Sequence, residues 1–242
     1  HKILTTRSNK IEQSRIVLHM IQASTSILDQ VDGSSQVECS ATKVICSVTG
    51  PVEPKARQEL PTQLALEIVV RPSKGVPNTR EKLMEDKIRG VLTPVLVRYL
   101  YPRQLCQLTF QVLESGESEE QYTVKELGCC INAAYLALVD AGIALKSSFV
   151  SVPICILEQN KIVTNPTAHQ LAQSVSTHLI SMEVGSGGTQ VENVLLVDSN
   201  GDFQETQLFD VLAEGEKECI NVASAFRKII QEKLQKDFIW KQ

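Results

Sequence analysis

Apolar and polar residues alternate from Val37 through Cys39 and Ala41, and Lys43 to Val48 continues as a β-rich run that stops at Gly50-Pro51. A period of two sends successive side chains to opposite faces of a strand. The stretch therefore predicts two strands joined by a short turn. Pro51 to Pro61 is charged and rich in breakers and reads as a loop, after which Leu64 to Val70 resumes as a strand until Arg71-Pro72 stops it. The period then lengthens. Asn78, with Glu81 three residues on, has the spacing of an N-cap and its reciprocal partner. Behind it Leu83, Met84, Ile88, Val91, Leu92 and Val95 form one apolar stripe, the mark of a helix packed on one side. Pro94 kinks or ends that helix.

The alternation returns at Cys106, Leu108, Phe110 and Val112, separated by Gln107, Thr109 and Gln111, and ends in an acidic loop from Glu114 to Glu120. A second helix from about Thr123 carries Leu127, Ile131, Ala134, Tyr135 and Leu138, with Gly142 near its end. Phe149 to Leu157, Gln173 to Val184 and Val191 to Val197 read as strands, the last two joined through Gly185-Ser186-Gly187-Gly188. Asp198 to Asp202 is expected as a turn. A long helix follows with Leu208, Val211, Leu212, Val222, Phe226, Ile229, Ile230 and Leu234 along it. Each large apolar side chain gains about 1.5–3 kcal/mol on burial, so a sheet or another chain must cover that stripe. Strands, helix, strand, helix, strands, helix is an α+β order rather than a strict βα alternation.

Composition narrows the class. At 242 residues and 43% hydrophobic content there is room for one large domain or two small ones, and general disorder is excluded. The net charge of −4 supplies no overall basic field for phosphate binding, so any nucleic-acid role is local or shared. Seven cysteines, without a C-x-x-C, read as buried thiols in a reducing compartment, cytosolic or nuclear. Ile131 to Leu145 is the longest apolar stretch; Asp140 interrupts it, and it falls short of the ~20 residues of a membrane span. Residues 1–19 hold Lys2, Arg7, Lys10 and Arg15 in a polar run. Glu12 and the poor amphipathic repeat weigh against a mitochondrial presequence. The expectation is a disordered extension over 1–19, with Met20 as the natural start and one domain over 20–242.

Chemical motifs are sparse. Asp198-Ser199-Asn200-Gly201-Asp202 opens like a calcium loop, but Phe203 stands where that loop needs glycine. His1, His19, His169 and His178 show no i, i+4 pairing, so solvated or hydrogen-bonded roles are expected of them. No P-loop, G-x-S-x-G or G-x-G-x-x-G occurs, and the glycine-rich turn at 185–188 joins strand to strand, without the helix N-terminus that binds phosphate. Lys55, Arg57, Arg71, Lys74, Arg80, Lys82, Lys87 and Arg89 concentrate positive charge. Glu53, Glu59, Glu67, Glu81, Glu85 and Asp86 interleave with them, so most of this is a solvated, salt-bridged face. Lys74, Arg80 and Arg89 remain as candidate RNA contacts.

Gly33-Ser34-Ser35-Gln36-Val37-Glu38 followed by Thr42-Lys43-Val44-Ile45-Cys46-Ser47-Val48 resembles the opening strands of the RNase PH family. The helix over 80–97 and Ile131-Asn132-Ala133-Ala134-Tyr135-Leu136-Ala137-Leu138-Val139-Asp140-Ala141-Gly142-Ile143 are similar to that family's two sheet-covering helices. The resemblance runs from about Ile27 to Leu234 and implies mixed β-sheets packed against helices, an arrangement like the second domain of ribosomal protein S5. It also implies a reaction. Active members phosphorolyse RNA from its 3′ end, holding phosphate with a glycine-rich turn and a Ser/Thr-Arg pair at the start of the second helix. Counted back from Leu138-Val139-Asp140, the pair falls on Glu126-Leu127 and the turn on Thr123-Val124-Lys125.

Both changes oppose phosphate. A lost charge-assisted hydrogen bond forfeits about 1.5–3 kcal/mol, and a carboxylate ~4 Å from a phosphate charge adds repulsion of ~4 kcal/mol at an effective dielectric near 20. Lys125 offsets part of this only by turning into the site. The family's paired aspartates, for acid catalysis and metal support, correspond to Asn165 and Leu171, and Thr164 to Ser181 contains no carboxylate at all. The resemblance therefore implies a non-catalytic ring subunit of the RNA exosome, supporting 3′-to-5′ RNA processing and degradation, rRNA maturation included. It would need no cofactor. Expected partners are other RNase PH-like ring subunits, cap subunits with RNA-binding domains, and RNA in the shared channel; no membrane is involved. Nucleus, nucleolus and cytoplasm are the expected locations. The enzyme alternative is a homodimeric phosphorolytic or metal-dependent nuclease whose relocated site uses Glu126, Lys125 or Asp140. A free-standing RNA-binding module is the third reading.

Overall fold

The structure, a computed structural model, describes residues 21–185 and 187–237. Five strands, β1 (Ile21–Thr25), β2 (Gly33–Cys39), β3 (Thr42–Val52), β4 (Ala65–Arg71) and β5 (Leu105–Glu114), form one sheet in the order β1-β2-β3-β5-β4. Helix α1 (Thr79–Val95) makes the crossover between β4 and β5, the one parallel pair in that sheet. Helix α2 (Val124–Asp140) leads to the second sheet, built from β6 (Ser148–Leu157), β7 (Lys161–Thr164), β8 (Ser174–Val184) and β9 (Val191–Gly201) in the antiparallel order β7-β6-β8-β9. A short α3 (Ala168–Ala172) links β7 to β8, and α4 (Glu205–Asp237) packs on β6 and β8.

The α+β expectation holds, and alternation places the core where it was expected. Val44, Cys46 and Val48 of β3 and Cys106, Leu108, Phe110 and Val112 of β5 are all buried while the residues between them are not. In α1, Glu81 turns its carboxylate back to accept the Asn78 N–H (2.6 Å), the reciprocal half of the expected cap, and Pro94 lies one residue from the helix end. Met84, Ile88, Val91, Leu92 and Val95 face the core. Leu83 does not: it is 54% exposed, because one residue of helix turns it about 100° away from Met84. Leu234, 48% exposed in the last turns of α4, also leaves its expected stripe.

Helix α2 departs furthest from the pattern. It lies between the two sheets, against β2 and β3 on one side and β6 and β8 on the other, and every residue from Val124 to Leu138 is buried. A helix enclosed all round needs small side chains to let both sheets approach, which Gly128, Cys129, Cys130, Ala133, Ala134 and Ala137 provide. Gly33 is required for the same reason: a Cβ there would lie 2.4 Å from the Ala137 carbonyl oxygen.

The expected turn at Asp198 is also corrected. Asp198, Ser199, Asn200 and Gly201 continue β9, paired with Leu179, His178, Thr177 and Ser176 of β8. Polar residues sit comfortably there because β9 is an edge strand whose ladder β8 satisfies. All seven cysteines are buried free thiols. Among the described residues no helix is long and apolar enough to cross a membrane. The expected extension over 1–19, with His1 and His19, lies outside the described residues.

Candidate functional site

The first turn of α2, where the resemblance puts phosphate, is already occupied by a carboxylate of the chain itself. A helix N-terminus leaves its first N–H groups without intrahelical partners and carries a partial positive charge. Thr123, at the N-cap, makes no side-chain cap. Glu117 takes that role from the preceding loop: its Oε2 accepts the Lys125 N–H at 3.1 Å and its Oε1 the Glu126 N–H at 2.9 Å. The loop is pinned so that this carboxylate arrives. The Gly116 N–H donates to Thr42 Oγ1 (3.1 Å), the Ser115 hydroxyl to the Glu117 carbonyl (3.1 Å), and a Cβ on Gly116 would lie 2.6 Å from Thr42 Oγ1.

Glu117 is 8% exposed. Burial pushes its carboxyl up to about 7; the two helix N–H bonds pull it down, the Glu126 charge raises it further, and Arg80 lowers it. Lys125 does not reach into the seat as a free cation. Its ammonium donates to the Gly116 carbonyl (3.2 Å), and burial lowers its pKa against the pull of Glu117.

Arg80, from the first turn of α1, closes the site. Its guanidinium bonds Glu126 Oε2 (2.7 Å), Glu81 Oε1 (3.1 Å) and the Tyr122 carbonyl (3.0 Å). Burial works against its charge, but Glu126 and Glu81 more than compensate and the pKa rises. Arg80 Nε and Glu126 Oε1 are buried without a hydrogen-bond partner among the described residues. Three carboxylates, Glu81, Glu117 and Glu126, thus share two cations, Arg80 and Lys125. Chemically the arrangement rejects a further anion. Leu127, the other half of the degenerate pair, is fully buried in the apolar core and offers no donor.

The second degenerate motif is linked to α2 through Pro153. Asn165, 7% exposed and in the left-handed region (φ 51°), donates its N–H to the Pro153 carbonyl (2.8 Å). Pro153 also packs on α2, its Cδ 3.6 Å from where a Cβ of Gly128 would be. Leu171 is a fully buried core side chain at the end of α3, a helix capped by Thr167, whose Oγ1 accepts the Gln170 N–H at 3.4 Å. Among the described residues no cluster of His, Cys, Asp or Glu could hold a metal ion.

The remaining candidates are scattered. Lys74 is exposed on the rim of a cavity lined by Glu114, Glu117, Glu119 and Glu120, an acidic neighbourhood. Arg89 is exposed midway along α1. Arg80 is engaged internally as described, so the three do not form a basic track. The alternative site of Glu126, Lys125 and Asp140 is not assembled either. Asp140 lies fourteen residues further along the same helix, roughly 21 Å away. There it accepts from the Ser26 hydroxyl (2.7 Å), the Ser34 N–H (2.9 Å) and Lys233. His178 is a hydrogen-bonded core histidine, within 3.0 Å of Ser176 Oγ and 2.8 Å of Ser199 Oγ, and burial lowers its pKa. Asp198 pairs with Lys87 (2.6 Å) rather than lining a calcium loop.

Sequence reasoning missed Glu117. No local signal asked for it: Thr123 with Glu126 three residues on already has the spacing of a capping box, so the sequence offers no reason to look six residues upstream for a carboxylate.

Comparison with known proteins accords with this geometry. The model of the 3′ exoribonuclease family, domain 1 (RNase PH), matches residues 18–144. The chain is 60% identical over 215 residues to the exosome complex component RRP46 of Saccharomyces cerevisiae, covering 88% of this chain and 96% of that one. To the exosome complex component rrp46 of Schizosaccharomyces pombe it is 29% identical over 211 residues, 85% of this chain and 87% of that one. In fold it is similar to rice Rrp46, with a TM-score of 0.75 at 23% identity over 89% of this chain and 94% of that one. The two-sheet architecture around α2 and these matches together establish that the chain belongs to the RNase PH family.

Proposed function

We propose that this chain is a non-catalytic RNase PH-like subunit of an RNA exosome ring, which pairs with other RNase PH-like chains and supports 3′-to-5′ RNA processing without cutting RNA itself. Membership in the exosome is supported by the 60% identity to the yeast exosome component over nearly its full length. The observation that carries the non-catalytic part is the Glu117 carboxylate seated on the Lys125 and Glu126 N–H groups, where an active relative would hold phosphate. Asn165 and Leu171 in place of paired aspartates support the same reading. Cap subunits and RNA in a shared channel complete the assembly, and nucleus, nucleolus and cytoplasm are its places of work. This chain contributes walls rather than a basic track, in keeping with its net charge of −4.

The test is incubation of the purified chain with 3′-tailed single-stranded RNA, with and without phosphate and magnesium. No release of nucleotides is expected. Phosphate-dependent release of nucleoside diphosphates, abolished by Glu126→Ala, would overturn the reading, and so would purification of the native protein as a homodimer free of related ring subunits.

A further inference from the structure

Two of the buried thiols meet at a place that also holds a cation. Cys39, the most exposed of the seven at 8%, ends β2 and lies on the same face of the strand as buried Val37. That face packs on α2. Cys129, in the second turn of α2, has its sulfur 3.4 Å from the Val37 carbonyl oxygen and 3.8 Å from that of Thr42. Thr42 is the residue opposite Cys39 in the β2–β3 hairpin, so both distances put the Cys129 sulfur at the mouth of the hairpin, beside the Cys39 side chain. The two thiols are hydrogen-bond partners there. That bond, and burial after it, raise Cys129 well above the ordinary thiol range, so Cys129 keeps its proton as donor and Cys39 is the acceptor.

Lys125, four residues before Cys129 on one face of α2, brings its ammonium within electrostatic reach of both sulfurs. Gly116 covers it: the ammonium donates to the Gly116 carbonyl at 3.2 Å and would stand 2.9 Å from a Cβ on that glycine. An ammonium and an S–H donor facing one sulfur make the electropositive setting in which a thiolate attacks. Outside the Gly116 loop lies the acidic cavity, walled by Ala41, two residues beyond Cys39, and by Ser115 and Glu117. Its further walls, Glu114, Glu119 and Glu120, repel an anionic oxidant and admit a neutral one. Cys46, Cys106, Cys130, Cys155 and Cys219 are wholly enclosed. We propose that Cys39 and Cys129 form a redox-sensitive dithiol, which a neutral hydroperoxide arriving through this cavity oxidises to a disulfide between β2 and α2. The Cys39 thiolate attacks a peroxide oxygen and the O–O bond breaks; with hydrogen peroxide the Cys39 proton goes to the leaving hydroxide, which departs as water, and Cys39 becomes a sulfenic acid. Cys129 then attacks that sulfur, the S–O bond breaks, and a second water leaves with the Cys129 proton. Two thiols and one hydrogen peroxide thus give one disulfide and two waters, each sulfur giving up one electron to the peroxide. Thiols already in contact need only small side-chain rotations to reach an S–S bond of about 2.05 Å. The inference does not depend on whether the chain is catalytic or on its partners.

The test treats the full, reduced chain with hydrogen peroxide and reads non-reducing peptide maps by mass spectrometry. On the folded wild type the expected result is a Cys39–Cys129 cross-link, formed before any other cysteine is modified and reversed by dithiothreitol. With Cys129→Ser, dimedone should trap a sulfenic acid at Cys39. Lys125→Met should slow cross-linking about tenfold, through the thiolate lost with a nearby positive charge. Glutathione disulfide, an anion, should leave both thiols free. Any of four results would overturn the proposal. One is earlier modification of an enclosed cysteine, and another is a link that forms only in urea-unfolded protein or between two chains. The third is no reaction at a peroxide excess that fully oxidises free cysteine in the same buffer. The fourth is a mixed disulfide with glutathione at Cys39 formed as readily as the internal bond, which would assign that thiol to glutathionylation.

Discussion

Glu117→Gln keeps the shape of the seated side chain and removes its charge, so it isolates what the charge does. A carboxyl whose pKa is about 7 in the folded chain, against an ordinary 4.5, binds its proton more tightly folded than unfolded. The sign follows from linkage: between those values the folded state holds more protons, so stability is fully present below about 4.5 and is lost as pH rises through 7. The groups facing the carboxylate are Glu126, Arg80 and Lys125, and burial is the largest cause. Integrating this single titration from pH 5 to pH 8.5 gives a loss of about 2.5 kcal/mol that wild type suffers and the glutamine variant does not. The amide can accept only one of the two helix N–H bonds, as the protonated acid does, so the variant should resemble wild type near pH 5. Urea unfolding of both proteins at the two pH values measures the difference. The variant is expected to gain about 2.5 kcal/mol on wild type between them. Parallel pH profiles would refute the claim that Glu117 is a buried titrating anion at the start of α2.

Arg80→Met should destabilise the fold by about 3–5 kcal/mol, because it strands Glu126 as a buried charge; adding Glu126→Gln should recover part of that in urea titrations, and additive losses would sever the pair. Gly116→Ala should cost about 1–3 kcal/mol by thermal melting, since its Cβ would crowd Thr42 Oγ1 at 2.6 Å and the Ala41 backbone at 2.9 Å. Burial opposes the ionised form of Asp140, but Lys233, the Ser34 N–H and Ser26 outweigh it and hold the carboxyl below its ordinary range. Its stabilisation is present above the unfolded value and lost as pH falls through the folded one. Asp140→Asn should therefore flatten stability on the acid side of pH 4 and speed hydrogen exchange in β1 and the last turns of α4.

What the sequence revealed depended on whether the deciding partner was near in the chain. The strands of β3 and β5 were legible because their faces differ, one against the core and one less so. Asn78 and Glu81 were legible because a capping box is a local object. The degenerate positions Glu126, Leu127, Asn165 and Leu171 were legible as missing chemistry. The Glu117 seat was not, because an acidic loop reads as solvated until its tether to Thr42, seventy-four residues away at Gly116, is known. Arg80 looked free for the same reason: Glu126 is forty-six residues distant. The course of β9 through Asp198 to Gly201 was hidden by residue types that favour turns, and only pairing with β8 overrides them.

The enclosure of α2 has a consequence for how the molecule comes apart. The second sheet also packs on α4, but the faces of β2 and β3 and those of β6 and β8 that meet α2 close on the same helix. Lifting either sheet away would wet a helix whose turns from Leu127 to Leu138 are apolar but for Asn132 and the Tyr135 hydroxyl. The two halves must then melt as one unit, and a neighbour that clamps either half in an assembly stiffens the other through this shared axle.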